Sequence, residues 1–231
     1  MTRPRLILAF AVAFAVLILA PAFLHQPFPL NRLMDCGDAL DLLTPLVMLP
    51  LYWLLFTDAG RRTRGRRATL TFLVFGALWI LGQGMHLSAN SIGNLMGHGE
   101  SPTHNLVHFY DEVLSHYIWH VAIIGMSVIL VVGRREPEGS APPTSWAVMA
   151  PSGFLYGFTY FCAVNEGGTV PLGLPAAIVI PAAILVTRRG GARRGNLTTF
   201  FFLGYVIALA FFVGWFARWG GFPEFSEKGI I

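Results

Sequence analysis

Six of the seven histidines in this 231-residue chain fall in one stretch, as His86, His98, His104, His108, His116 and His120. Asp111 and Glu112 stand among them, and almost everything on either side is hydrophobic. Ionisable side chains at a bilayer are costly to keep, which makes them candidate functional groups by default. His108, Glu112, His116 and His120 recur every four residues. On an α-helix each such step advances about 400°, so successive members drift only about 40° around the surface. Glu112, His116 and His120 therefore share a face. E-x3-H-x3-H is a spacing that can offer two imidazoles and a carboxylate to one ion. Glu112 to His120 covers about 12 Å of helix axis, so adjacent pairs fit a single ion better than all three together.

Depth supplies a partner. Counting back about 20 residues from Gly133 puts the membrane boundary of this span near Leu114, with His116 just inside it and His120 one turn deeper. The preceding span ends near Leu87, which brings His86 to almost the level of His116. The expected site is therefore a metal held by His86, His116 and His120. Asp111, Glu112 or Glu166 would supply a carboxylate ligand, an orienting partner or a general base. Three histidines with an open position suit zinc as an activator of water. Iron, manganese or copper also match a mixed His and carboxylate set. Asn90, Asn165, Tyr160 and Asp41 lie at a similar level. His25 is expected to be incidental, and His98, His104 and His108 to sit in a solvated loop or helix start. Asp35, Asp38 and Asp41 read as a solvated helix entry.

The elements that must carry these residues are membrane spans. The chain is 55% hydrophobic and only 12% charged, with mean hydropathy +0.60, whereas a soluble domain carries about 25% charged residues. The formal net charge of +4 does not indicate a nucleic-acid binder, because the basic residues lie in short clusters between apolar runs, as topology signals do. The expected fold class is all-α, a single transmembrane helix bundle of about seven spans. The spans run near Leu6–Leu24, Leu40–Phe56, Ala68–Leu87, then a helix opening at Ser101-Pro102, then Trp146–Ala163, Val170–Val186 and Leu197–Phe216. Ser101 followed by proline is an N-cap with proline at the first helical position. An unbroken helix from there to Val132 would be about 46 Å long, so its first part must stand above the hydrocarbon. Pro171, Pro175 and Pro181 predict a kinked or broken sixth span. Ser88 to Glu100 reads as a loop, and Arg61, Arg62, Arg64, Arg66 and Arg67 as a basic one. Ala20-Pro21-Ala22 matches a signal-peptidase site, but the apolar run is long for a signal peptide and a retained helix is expected.

With the N-terminus in the cytoplasm, 13 of the 16 Arg and Lys residues fall inside, and only Arg32, Arg218 and Lys228 outside. This satisfies the positive-inside rule and turns the histidine region outward, with the C-terminus outside as well. A bacterial cell (inner) membrane is the expected location. Cys36 and Cys162 share the outer side, where they would either form one disulfide or remain two thiols. The lysine count is one, Lys228, so the seventh span offers no Schiff-base lysine.

The chemistry these residues suit best is metal-dependent hydrolysis of a lipid or other apolar small molecule, with membrane lipids as partners and no nucleic acid. The ion would polarise a carbonyl and acidify water while a carboxylate takes the proton. Two alternatives remain open. One is a haem- or copper-binding redox protein, with His86 and His120 as axial imidazoles. The other is a proton- or metal-coupled transporter.

Overall fold

A computed structural model describes residues 3–57, 65–96, 101–131, 146–187 and 195–230. His98, the arginines at 61, 62, 64, 188, 189, 193 and 194, and the polar segment 133–145 lie outside the described residues. The chain forms helices α1 (Arg3–Leu19), α2 (Cys36–Thr57), α3 (Arg66–Gly93), α4 (Pro102–His108), α5 (His116–Val131), α6 (Trp146–Glu166), α7 (Val170–Thr187) and α8 (Asn196–Trp219). A π-helical segment, Phe109–Ser115, joins α4 to α5, so Pro102–Val131 is one continuous span. The exception to the all-α pattern among the described residues is a small antiparallel hairpin, β1 (Pro27–Phe28) with β2 (Asn31–Asp35), between α1 and α2.

Six of these spans are long and apolar enough to cross a membrane: α2, α3, the composite Pro102–Val131, α6, α7 and α8. Helix α1, at 17 residues, reaches about 26 Å, just under the roughly 30 Å of a hydrocarbon core. The chain is an integral, multi-pass membrane protein. Its direction alternates. The carboxyl ends of α1, α3 and α6 and the amino ends of α2 and the fourth span all contribute residues to one cavity at one end of the bundle.

Several boundaries differ from the sequence reading. Helix α3 runs on to Gly93, through the stretch expected to be a loop. Ser88 stays helical and donates its hydroxyl to the Gly84 carbonyl at 2.8 Å. Helix α7 is continuous through Pro175 and Pro181. Its Pro171 sits in the first turn, where a missing N–H costs nothing. Helix α6 extends to Glu166, so Asn165 and Glu166 are its last turn rather than part of a loop. Cys36 and Cys162 are both free thiols.

In a bilayer, helices associate by close packing more than by water exclusion, and small residues let backbones approach. Gly153 and Gly157 form a Gly-x3-Gly step on α6 that faces Gly204 of α8. A methyl at Gly157 would overlap the Gly204 carbonyl oxygen, and one at Gly204 would meet Tyr156 Cδ1 at 2.6 Å. Inside, α1 lays Phe10 and Phe14, both fully buried, against Tyr52 and Tyr156, with ring centroids 4.6 Å (Phe10–Tyr52) and 4.9 Å (Phe14–Tyr156) apart. Phe200, Phe201 and Tyr205 of α8 close this aromatic core.

Candidate functional site

The polar end is built on three imidazoles that step inward. The His86 and His116 ring centroids are 4.8 Å apart, and those of His116 and His120 6.0 Å apart. His86 and His116 line a cavity of about 470 Å³. His120 lies beneath, fully buried, with its ring stacked on Trp119 at 5.1 Å.

In each ring Nδ1 meets an oxygen. His116 Nδ1 lies 3.0 Å from the Glu112 carbonyl oxygen. A carbonyl can only accept, so the proton is on Nδ1 and Nε2 keeps its lone pair in the neutral ring. His120 Nδ1 lies 2.6 Å from the Thr169 hydroxyl, and its Nε2 is buried with no partner among the described residues. His86 Nδ1 lies 2.7 Å from Asp111 Oδ1. That contact is close, but its angles depart from those of a directed hydrogen bond.

Asp111 rather than Glu112 meets His86, and the cause is the π-helical segment. Hydrogen bonds from i to i+5 insert an extra residue into the turn, which shifts every position from the 100° spacing of an α-helix. Asp111 is thereby turned inward to 8% exposure. The Glu112 side chain remains 43% exposed on the cavity wall, with its carboxylate 3.9 Å from His116 Nδ1. The Ser115 hydroxyl donates to the Asp111 carbonyl within the same turn. Asp111 also lines a second cavity of about 320 Å³ with His104, His108 and Asn94. Its partner His86 lines the first cavity.

The aspartates entering α2 are not a solvated helix start. Asp38 and Asp41 are 2% and 7% exposed. Asp38 accepts from Asn90 Nδ2 at 3.2 Å and from the Asp35 backbone N–H, also at 3.2 Å. Asp41 accepts from Gln83 Nε2 at 3.1 Å, and Gln83 in turn accepts from Trp79 Nε1 at 3.2 Å. His25, expected to be incidental, lines the same cavity.

Glu166 lines the cavity too, but its carboxylate is occupied. Its Oε2 accepts from the backbone N–H groups of Phe225 and Ser226 at 2.6 and 3.4 Å. Asn165 Nδ2 and Trp215 Nε1 both donate to the Pro223 carbonyl, at 2.8 and 3.0 Å. Gly220, at φ +69°, turns the chain out of α8 so that this segment folds back. Glu166 therefore seats the segment after α8, which brings Glu224 and Ser226 to the cavity wall. Burial raises the Glu224 carboxyl above the ordinary carboxylate range, with Glu166, Glu112 and Glu227 adding to the effect and His108 opposing it.

Among the described residues, no group of three or more His, Cys, Asp or Glu side chains converges as the ligand set of one ion. The residues expected to form the site are therefore gathered at one end of the bundle, with His86 and His116 adjacent and His120 a layer deeper. Sequence reasoning missed Trp119, Gln83, Thr169, Gly167 and Glu224. Gln83 lies one turn before His86 in an otherwise apolar span, which was the available signal. Gly167 is where a β-carbon would come within 3.2 Å of His116 Cγ and 3.1 Å of His120 Cε1.

No family model and no solved structure matches this chain. It is similar to the ceroid-lipofuscinosis neuronal protein 6 homolog of Canis lupus familiaris, with 25% identity over 88% of this chain and 71% of that protein. It is also similar to ceroid-lipofuscinosis neuronal protein 6 of Homo sapiens, with 24% identity over 88% of this chain and 71% of that protein.

Proposed function

We propose that this chain is a membrane-embedded, metal-dependent hydrolase that acts on a lipid or other apolar acyl substrate at its His–carboxylate end. The observation that carries this reading is His116. It is 8% exposed, lines the cavity and has its Nδ1 proton on a backbone carbonyl, which leaves the Nε2 lone pair on a ring whose centroid is 4.8 Å from that of His86. A histidine whose second ring nitrogen is held by a carbonyl or carboxylate has the orientation and tautomer of a metal ligand. His86 and His116 would hold a divalent ion, zinc for preference, with iron or copper as alternatives. Glu112 would complete the set or act as the general base. His120, fixed by Thr169 and stacked on Trp119, would position His116 from below. The ion would supply Lewis acidity toward an acyl carbonyl. The orientation, with this end outward from a bacterial inner membrane, is part of the proposal. It rests on the arginine distribution, while the two relatives named above are mammalian.

The test is the metal content of full-length protein purified in a neutral detergent, compared with His116→Ala and His86→Ala. The expected result is a stoichiometric divalent metal in the parent that both substitutions remove, with helical circular dichroism unchanged. A metal-free parent that cleaves no acyl lipid would overturn the reading. A haem absorption band in the same preparation would replace it with the redox alternative.

A further inference from the structure

We infer that Asp41 is the general base of the proposed hydrolysis, held in place by Gln83, which leaves Glu112 to complete the ligand set of the ion. This deepens the function proposed above by naming a catalytic residue, and it rests on that function.

Two helices bring Asp41 to His86. Gln83, His86 and Asn90 are spaced three and four residues apart, so they lie along one stripe of α3. Asp38 and Asp41, one turn apart on α2, meet this stripe. Asp38 accepts from Asn90 Nδ2 and Asp41 from Gln83 Nε2, so the two contacts fall on either side of His86 along α3. Asp41 and His86 also act electrostatically on one another, and both line the cavity that His116 lines.

The carboxylates at this end differ in what is left free on them. Asp38 has both oxygens engaged, Oδ1 by Asn90 and Oδ2 by the Asp35 N–H. Asp111 Oδ1 is sealed against His86. Glu166 holds the segment after α8. The Glu112 side chain is 43% exposed and reaches toward His116. Asp41 alone of these is both fixed and available. It is 7% exposed, and Oδ1 takes the Gln83 bond. Oδ2 has no partner among the described residues and is not among the sealed unpaired atoms, so it opens into the cavity. A general base must be held within hydrogen-bond reach of the proton it takes, by side chains that are themselves held.

Gln83 supplies that hold. The indole of Trp79 only donates, so it fixes Gln83 Oε1 as its acceptor and turns Nε2 toward Asp41. Gln83 is 1% exposed and Trp79 fully buried. Polar groups within a span are costly, and this chain of three ends on a carboxylate in the cavity. In the reaction Asp41 Oδ2 takes a proton from the attacking water as the water oxygen bonds to the acyl carbonyl carbon. It returns that proton to the leaving oxygen or nitrogen as the acyl bond breaks. The products are an acid and an alcohol or amine, and Asp41 ends as it began.

The experiment uses full-length protein in maltoside micelles, with 4-nitrophenyl octanoate and octanoyl 4-nitroanilide as probes. Turnover, metal content and melting temperature are measured together. Asp41→Asn keeps an acceptor for Gln83 and loses the base, so kcat should fall by about 100-fold or more, with KM, metal and melting temperature close to those of the parent. Gln83→Met should lower kcat by roughly tenfold through a misplaced base. Sodium formate should restore turnover to Asp41→Ala in proportion to its concentration, which a merely structural role for Asp41 does not produce. An active parent whose Asp41→Asn variant keeps the parent kcat overturns this inference and leaves the hydrolase reading standing, with Glu112 as the base. Loss of the metal from Asp41→Asn also overturns it, because Asp41 would then be a ligand. A parent that holds no metal and cleaves neither probe overturns the hydrolase reading, and this inference falls with it.

Discussion

The two ends of this bundle bury polar groups in opposite ways. In the aromatic core most hydroxyls are paired. Ser127 and Tyr205 lie 2.5 Å apart, Tyr156 reaches Tyr205 at 3.4 Å, and Tyr160 donates to the Gly173 carbonyl at 3.1 Å. Tyr52 and Thr159 are the exceptions there. At the cavity end, among the described residues, Trp119 Nε1, His120 Nε2, His104 Nδ1 and Asn165 Oδ1 are buried without a hydrogen-bond partner, and the Asp111–His86 pair meets only as a close contact. An unpaired buried polar group costs about 1–3 kcal/mol. The aromatic core is thus arranged for stability, and the cavity end holds unspent donors and acceptors that a ligand can satisfy.

Substitutions put that contrast to the test. The largest effect is expected at the α6–α8 contact. Gly157→Leu drives a side chain into the Gly204 carbonyl and should cost about 3 kcal/mol or more. It would be seen as aggregation on size exclusion or a collapse of the melting temperature in detergent. Next is Tyr205→Phe, which leaves the Ser127 hydroxyl without its side-chain partner. A loss of about 1 kcal/mol is expected, read as a lower melting temperature. Trp119→Phe at the other end removes a donor that has no partner, but it also empties the volume of the second indole ring beside His120 and Trp79, so a loss of about 1 kcal/mol from packing alone is expected. A loss well above that in the melting curve would mean that the indole N–H has a partner, and the division between the two ends would be wrong. The smallest effect concerns pH. The Glu224 carboxyl is raised from its ordinary 4.5 by burial and by neighbouring acids. A folded state that holds the proton more tightly than the unfolded one loses stability as pH rises from the unfolded value through the raised one. The segment after α8 should therefore be best protected from proteolysis on the acid side and loosen as pH climbs above about 4.5. Glu224→Gln should flatten that dependence.

Much of this architecture was legible in the sequence. Long apolar runs bounded by arginines give the spans, and counting residues from their ends places His86 and His116 at one depth, as observed. Depth counting depends only on rise per residue, and a single wide turn changes rise little. Rotation is more fragile. The 100° spacing put Glu112 on the histidine face, where it stays beside His116, but the contact with His86 goes to Asp111 from within the π-helical segment. The packing of α6 on α8 had a signal in Gly153-x3-Gly157. The roles of Thr169, Trp119 and Glu166 had none, because each depends on a residue 45 to 60 positions away or on an atom left without a partner. The burial of Asp38 and Asp41 was hidden for the same reason, since Asn90 and Gln83 come from another helix.

The wide turn at Phe109–Ser115 has a meaning for descent. A π-helical turn is an α-helix with one residue added, so losing one codon in this segment would restore the ordinary winding. Everything upstream would then swing by about 100° relative to α5. Asp111 would turn away from His86, while α5 and the layers beneath it stayed in place. A homologue with a one-residue gap there would keep the scaffold and lack the acid–imidazole contact, so indels at this point should track that contact more closely than overall identity does.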